Sequence, residues 1–229
     1  MKNPSVSLSS AKKINRRITD PKKKKAMTTI ANEFIQSLEK QVPKFLQEIE
    51  ASLPLVKELY CDHVCWRTDS IQDYEDLVSD LKAHDGSTLL VQSIVSGRPI
   101  ATFELKKGIQ CNNNRLVTVV EIPAPKIGSP YSSGLEHAEF VISPDHESER
   151  LSPINDTTHR SMLEEFVQKN PKLTLNEKAK NKTVNPDVSL KVKLPEFGRC
   201  SVKFHLFPLA KVIEYEIAHG MADINSIKA

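Results

Sequence analysis

The sequence predicts an α+β fold of two similar modules, each a strand, a helix and three further strands. The main observation is an acid–histidine pair that occurs twice at the start of an apolar strand, as Asp62-His63 and as Glu136-His137. A later apolar strand in each half carries a polar side chain, Glu121 in the first and His205 in the second. These residues follow the histidines by 58 and 68 positions, which is typical of a duplicated βαβββ unit.

The first module spans about residues 60–123. Period-two and period-3.6 apolar patterns alternate there, and Ser70 is the expected N-cap of the helix. The predicted strand, helix and three strands cover residues 60–67, 70–83, 88–95, 99–106 and 115–122. Prolines and a glycine between residues 123 and 130 then indicate a linker between the halves.

The second module spans about residues 135–207 and repeats this order. Its strand, helix and two later strands are predicted at 135–142, 158–169, 188–194 and 199–207. The polar stretch 170–187 is expected to be a long loop with at most one short strand. A helix over 208–219 closes the domain.

An N-terminal helical segment precedes the modules at residues 30–53. Apolar residues recur there every three or four positions, which predicts an amphipathic helix, or a pair of helices broken near Pro43.

Residues 1–26 contain nine basic residues and one acid, so we predict a disordered basic tail. Residues 27–229, with 23 basic and 28 acidic residues, are predicted to form a single domain.

Composition also excludes several classes of protein. No run of 18 apolar residues exists and the N-terminus lacks a secretory signal, so we expect an intracellular, cytoplasmic protein without a membrane partner. The tail alone suits nuclear or organelle targeting or nucleic-acid contact, because the rest of the chain is acidic and lacks a row of stacking aromatics. Four cysteines without CxxC spacing predict buried thiols.

Strand alternation predicts where the histidines point. In the first strand His63 lies on the face opposite Val64 and Trp66, which form the natural core face. By the same rule His137 shares a face with Glu139. A strand histidine alone is more often a hydrogen-bonded structural group, but two or three imidazoles with a carboxylate form a donor set for Zn, Ni, Mn, Co or Fe. We therefore predict one divalent transition metal.

Three cations lie on or next to the same strands. These residues are Arg67, Arg98 and Lys203. Guanidinium and ammonium groups bind carboxylates and phosphates, so the three cations are predicted to hold a small anionic substrate. The alternative is that they form ion pairs with Glu104, Glu139 or surface acids.

Five short segments of the chain resemble the bacterial YecM family in order and spacing. They are Asp62-His63, Gly97-Arg98-Pro99-Ile100, Val120-Glu121-Ile122-Pro123, Leu135-Glu136-His137-Ala138-Glu139 and Lys203-Phe204-His205. The match covers about residues 30–217. That family is similar in fold to the vicinal oxygen chelate superfamily, which includes glyoxalase and extradiol dioxygenases. The resemblance implies that both modules form an open, curled mixed sheet around a divalent metal.

The resemblance also implies a ligand set. In the superfamily the ligands come from the first and last strands of each module, which correspond here to His63, Glu121, His137 and His205. A glutamate is usual at the last position, so His205 is a departure, and Glu139 is the alternative source of a carboxylate.

The implied function is that of a metal-dependent isomerase, lyase or dioxygenase acting on a small anionic or oxygen-rich metabolite. Glu121 or Glu139 is the expected base. The alternative is a protein that binds a small ligand on the same fold without turnover. Two modules in one chain suffice for the site, and the sequence leaves homodimerisation open.

Overall fold

A computed structural model describes residues 21–126, 128, 132–142, 157–182 and 184–221. The helices are α1 Pro21–Ser52, α2 Ile71–Ala83, α3 Thr157–Lys169 and α4 Leu209–Ala218. The strands are β1 Tyr60–Arg67, β2 Ser87–Val95, β3 Arg98–Gln110, β4 Leu116–Pro123, β5 Gly134–Val141, β6 Asp187–Leu194 and β7 Gly198–His205. Within the described ranges, no helix combines the length and apolar character that a membrane span requires.

The strands form one open mixed sheet in the order β2-β3-β4-β1-β5-β7-β6. The first strands of the two modules, β1 and β5, lie antiparallel at its centre. Each also pairs in parallel with the last strand of its own module, β4 or β7. The predicted fold class is therefore confirmed. In the described part of module two, the strand equivalent to β2 is reduced to a single bridge between Asn176 and Ser189.

Helix α1 passes through Pro43 without a break, so one continuous helix is observed where the sequence left two alternatives. An interior proline costs a helix about 3 kcal/mol, and packing of a buried stripe offsets this cost. That stripe consists of Phe34, Leu38, Val42, Phe45 and Ile49. The helix begins at Pro21, inside the predicted tail. Residues 1–20 lie outside the described ranges, so the tail and the domain division stay predictions.

One face of the sheet forms the core beneath helices α1, α2 and α3. Val64, Val120, Phe140 and Phe204 are fully buried on this face, and the Phe204 ring packs 4.9 Å from that of Phe166 in α3. As predicted, the side chain of Ser70 accepts a hydrogen bond from the Asp73 N–H and caps α2. All four cysteines are buried free thiols, which confirms that prediction.

The central ladder between β1 and β5 contains two bulges. Cys61 pairs with Phe140 and His63 with Glu139, so Asp62 is an extra residue on β1. On β5 the extra residue is Glu136. Each bulge therefore coincides with the acid of a repeated acid–histidine pair, where it re-aims the acidic side chain relative to simple alternation.

Candidate metal centre

The candidate ligands lie on the sheet face opposite helices α1, α2 and α3, in two adjacent rows of paired residues. In one row His63 on β1 pairs with Glu139 on β5. In the next row Cys65 on β1 pairs with His137 on β5 and with Glu121 on β4. Because paired residues of adjacent strands project to the same face, both rows contribute to one cluster. We call it the His–Glu cluster.

The His–Glu cluster has two imidazoles and two carboxylates, whose ligand atoms all lie within 4.8 Å of one another. Its members are His63, Glu121, His137 and Glu139. His137 Nε2 lies 3.3 Å from Glu121 Oε2 and 3.1 Å from Glu139 Oε1. His63 Nε2 lies 4.0 Å and 3.4 Å from the same two atoms. A tetrahedral ion with ligands at about 2.1 Å separates its ligand atoms by about 3.4 Å, which falls within this range.

His63 is oriented by its neighbour Asp62. Asp62 Oδ2 accepts a hydrogen bond from His63 Nδ1 at 2.7 Å, so Nε2 carries the lone pair of the neutral ring. His63 Nε2 is buried without a hydrogen-bond partner and faces Glu121 and Glu139. A carboxylate on one ring nitrogen and a lone pair on the other is the arrangement of a metal-binding histidine. The residues therefore fit a divalent transition metal.

Burial and neighbouring charges shift the pKa values of His63 and Glu121 in opposite directions. Burial lowers the pKa of His63, but the carboxylates of Glu139 and Asp62 more than offset burial and raise it to about 10. Burial raises the pKa of Glu121, whereas the hydrogen bond and charge of His137 bring it down to about 2. The cluster therefore favours positive charge on His63 and negative charge on Glu121 and Glu139.

Lys203 enters the cluster from β7. Its ammonium forms an ion pair with Glu139 Oε1, and Nζ lies 3.3 Å from His137 Nε2. Burial opposes the charged ammonium, but Glu139 and Glu121 raise the pKa of Lys203 well above its usual range. Burial likewise opposes the charged form of Glu139, yet the Lys203 charge holds the pKa of that carboxyl well below its usual range. The two side chains are therefore both ionised.

Strand register makes Lys203, not His205, the counterpart of Glu121. In each module the residue two positions after the strand histidine pairs with a residue on the last strand. That partner is Glu121 in module one and Lys203 in module two, whereas His205 lies two residues further along β7. The equivalence of His205 and Glu121 that the resemblance implied is thus corrected by the pairing.

His205 lies beside the His–Glu cluster. Its Nδ1 donates to the Phe207 carbonyl at 2.6 Å, and Nε2 lies 3.4 Å from Asp62 Oδ2 and 3.6 Å from Glu139 Oε2. The ligand atoms of His205 therefore group with those of Asp62 and His63. A metal-binding role for His205 stays a prediction.

The other two predicted substrate cations bind groups outside the cluster. Arg67 forms an ion pair with Glu136, with Nε donating to Oε2 at 3.0 Å, and Arg98 donates to the Ala124 carbonyl at 3.0 Å. Arg67 and Glu136 also line a cleft of about 450 Å³, a volume that suits a small ligand. A carboxylate oxygen of Glu136 lies within 4.8 Å of a ring nitrogen of His137, so Glu136 connects this cleft to the cluster.

Asp62 is the site residue that sequence reasoning missed. It is 1% exposed and accepts hydrogen bonds both from His63 Nδ1 and from the Leu209 N–H, at 2.9 Å, at the start of α4. Strict alternation would place Asp62 on the face opposite His63, and the bulge changes this. The recurrence of an acid before both strand histidines was the available signal.

Comparison with known proteins identifies the family. A family model described as YecM protein matches residues 26–216. The chain belongs to the YecM family. The resemblance inferred from the five segments is therefore confirmed. No curated protein sequence matches this YecM chain significantly.

Solved structures support the fold of the YecM chain. It is similar to "Structural Genomics, Protein EC4020", with a TM-score of 0.54 and 22% identity over 80% of this chain and 92% of that chain. Weaker likenesses include 2,2',3-trihydroxybiphenyl 1,2-dioxygenase from Sphingomonas wittichii strain RW1, with a TM-score of 0.36 and 11% identity over 67% of this chain and 47% of that one. BphC, a halotolerant catechol dioxygenase, has a TM-score of 0.32 and 12% identity over 64% and 40%. These two likenesses assign no chemistry to the YecM chain.

Proposed function

We propose that this YecM chain is a divalent-metal-dependent enzyme of the vicinal oxygen chelate type, acting on a small anionic or oxygen-rich metabolite. The observation that carries the proposal is the His–Glu cluster, in which His63 Nε2 is buried, unpartnered and directed at two carboxylates. His63, Glu121 and His137 would hold the metal, with Glu139 as the further carboxylate. A Zn, Ni, Mn, Co or Fe ion bound there would supply Lewis-acid chemistry at a substrate oxygen.

Glu121 is the carboxylate that we propose for proton transfer. Both oxygens of Glu139 face nitrogen atoms, Oε1 those of Lys203 and His137 and Oε2 that of His205. Glu121 contacts the cluster through Oε2, and 19% of its side chain is exposed. Glu121 is ionised at neutral pH because its pKa is lowered to about 2. An ionised carboxylate is free to accept a proton, and a metal on a substrate carbonyl oxygen would make the adjacent C–H bond more acidic.

The charges around the cluster favour an anionic substrate. The Lys203 ammonium lies in the cluster, and Arg67 lines the adjoining cleft of about 450 Å³. Ammonium and guanidinium groups both bind carboxylate and phosphate oxygens. We propose that these two residues recognise the substrate. Arg98 would position the segment that follows β4 by donating a hydrogen bond to the Ala124 carbonyl.

A second candidate function is a small-ligand-binding protein without turnover. The observation that favours it is again Lys203, because its ammonium already neutralises Glu139 and contacts His137 Nε2. A cluster that contains its own cation can bind an anionic ligand directly.

Metal analysis of the purified, untagged protein distinguishes the two functions. The test variant is His63→Ala with His137→Ala, and the matched control is His84→Ala with His219→Ala, two histidines outside the cluster. Near-stoichiometric metal in the parent and the control, lost in the test variant, would support the enzyme and justify substrate screening with that metal. Absence of metal from all three after reconstitution would contradict the enzyme proposal and favour the binding protein.

A further inference from the structure

Lys203 stands where the symmetry of the two modules calls for an acidic ligand. The β1–β4 pairing places Glu121 opposite Cys65, two residues after the strand histidine of module one, and the β5–β7 pairing places Lys203 opposite Glu139, the equivalent point of module two. A fixed positive charge thus replaces a negative one at the position of a candidate metal ligand. This replacement changes which charges the cluster can accept.

The ammonium occupies electron pairs that a metal would require. Lys203 Nζ lies 3.3 Å from His137 Nε2 and forms an ion pair with Glu139 Oε1. A metal ion that used His137 Nε2 and Glu139 Oε1 as ligands would lie beside this ammonium, and two positive charges so close repel each other strongly. The observed position of the Lys203 ammonium therefore opposes metal binding through His137 and Glu139.

The carboxylates of the cluster stabilise the Lys203 ammonium at this position. Asp62, Glu121 and Glu139 bring three negative charges into a cluster in which none of their side chains is more than 19% exposed. Carboxylates at such depth are strongly destabilising unless they are paired with a cation. Lys203 supplies such a pair to Glu139 from within the chain.

We propose that Lys203 is an internal counter-cation that competes with a divalent metal for Glu139 and His137. The proposal rests on the proposed function for the existence of the metal site. The Lys203 side chain lies on β7 and is 29% exposed. Rotation about its flexible four-methylene stem can therefore move the ammonium towards solvent while the strand stays in place. Metal loading then requires two events, release of the ammonium and entry of the metal.

The test compares the full chain with its Lys203→Met variant, which keeps the length of the side chain and removes the charge. Lys191→Met is the matched control, because Lys191 lies on β6 of the same sheet and its ammonium donates to the hydroxyl of Ser201 at 2.6 Å. Two quantities are measured after chelator treatment: the dissociation constant for Co²⁺, by titration of its visible absorption, and the melting temperature without metal.

The two quantities should move in opposite directions in Lys203→Met. Co²⁺ should bind at least about tenfold more tightly, since removing a neighbouring positive charge removes repulsion of the ion. The melting temperature without metal should fall, because Glu139 loses its cation. Lys191→Met should change neither. A lysine whose ammonium did not contact the metal ligands would likewise change neither quantity.

The outcomes separate this inference from the proposed function. Co²⁺ binding by Lys203→Met alone, or tighter binding than in the parent, supports the counter-cation, as does recovery of folding on Co²⁺ addition if the variant unfolds without metal. Equal or weaker binding in Lys203→Met overturns the counter-cation and leaves the metal function standing. Lack of Co²⁺ binding in every variant, including Lys203→Gln as a second neutral replacement, overturns the metal function itself.

Discussion

Replacing Asp62 with asparagine tests whether the candidate centre is organised by the residue that orients its first histidine. Asp62 is 1% exposed, and its Oδ2 accepts from His63 Nδ1 at 2.7 Å and from the Leu209 N–H at 2.9 Å. Asparagine has the same size and keeps one acceptor oxygen, but it has no charge. The variant therefore separates the charge of Asp62 from its shape.

The expected magnitude follows from these two hydrogen bonds. Charge-assisted hydrogen bonds contribute about 1.5–3 kcal/mol and neutral ones about 1 kcal/mol, so removing the charge from two of them should lower the free energy of unfolding by about 1–3 kcal/mol. Loss of a carboxylate that orients a metal-binding histidine typically weakens metal affinity by about 10–100-fold. We expect both effects in Asp62→Asn.

Urea denaturation and Co²⁺ titration measure the two effects on the same samples. Asp76→Asn is the control, because exposed Asp76 accepts a hydrogen bond from Gln72 on α2, away from the cluster. Asp76→Asn should leave the Co²⁺ affinity as in the parent. If Asp62→Asn lost stability but bound Co²⁺ as tightly as the parent, Asp62 would be a structural residue and the reasoning about His63 would be refuted.

Three further predictions concern pH, the base and the core. Because the pKa of His63 is raised to about 10, its protonation fully stabilises the metal-free protein below pH 6.5, and this stabilisation is lost as the pH rises towards 10. Because the pKa of Glu121 is lowered to about 2, its ionisation fully stabilises the protein above pH 4.5, and this stabilisation is lost as the pH falls towards 2. The melting temperature, measured with a chelator, should therefore be highest between pH 4.5 and 6.5. A melting temperature that rises from pH 6.5 to 10 would contradict this prediction. Glu121→Gln should weaken Co²⁺ binding by about tenfold or more, and an unchanged titration would remove Glu121 from the ligand set. Phe204→Ala should cost about 3–5 kcal/mol in urea unfolding, because Phe204 is fully buried against Phe166; a cost below about 1 kcal/mol would mean that the core reorganises there.

Most of the fold could be predicted because its elements depend on local periodicity. The helix over residues 70–83 and the strand over 188–194 were expected from apolar spacing and turn residues, and they occur as Ile71–Ala83 and Asp187–Leu194. The repeated acid–histidine pair likewise pointed to His63 and His137, which the structure brings into one cluster.

What the sequence could not provide was the pairing of distant strands. Lys203 and His205 have the same parity on β7, so alternation cannot decide which of them matches Glu121, and only the register with β5 does so. Asp62 was missed for a related reason. A bulge adds one residue to a strand, and every face assignment made by counting changes at that point.

The hydrogen bond from the Leu209 N–H to Asp62 links helix α4 to the candidate metal centre. Helix α4 has 10 residues, a length at which an isolated helix is marginal, and its first N–H donates to the same carboxylate oxygen that holds His63. A change in the hydrogen bond between Asp62 and His63 therefore also affects how often the first turn of α4 opens. Protection of the Leu209 amide from hydrogen exchange, measured in helix α4, therefore reports on the state of the His63 imidazole on β1.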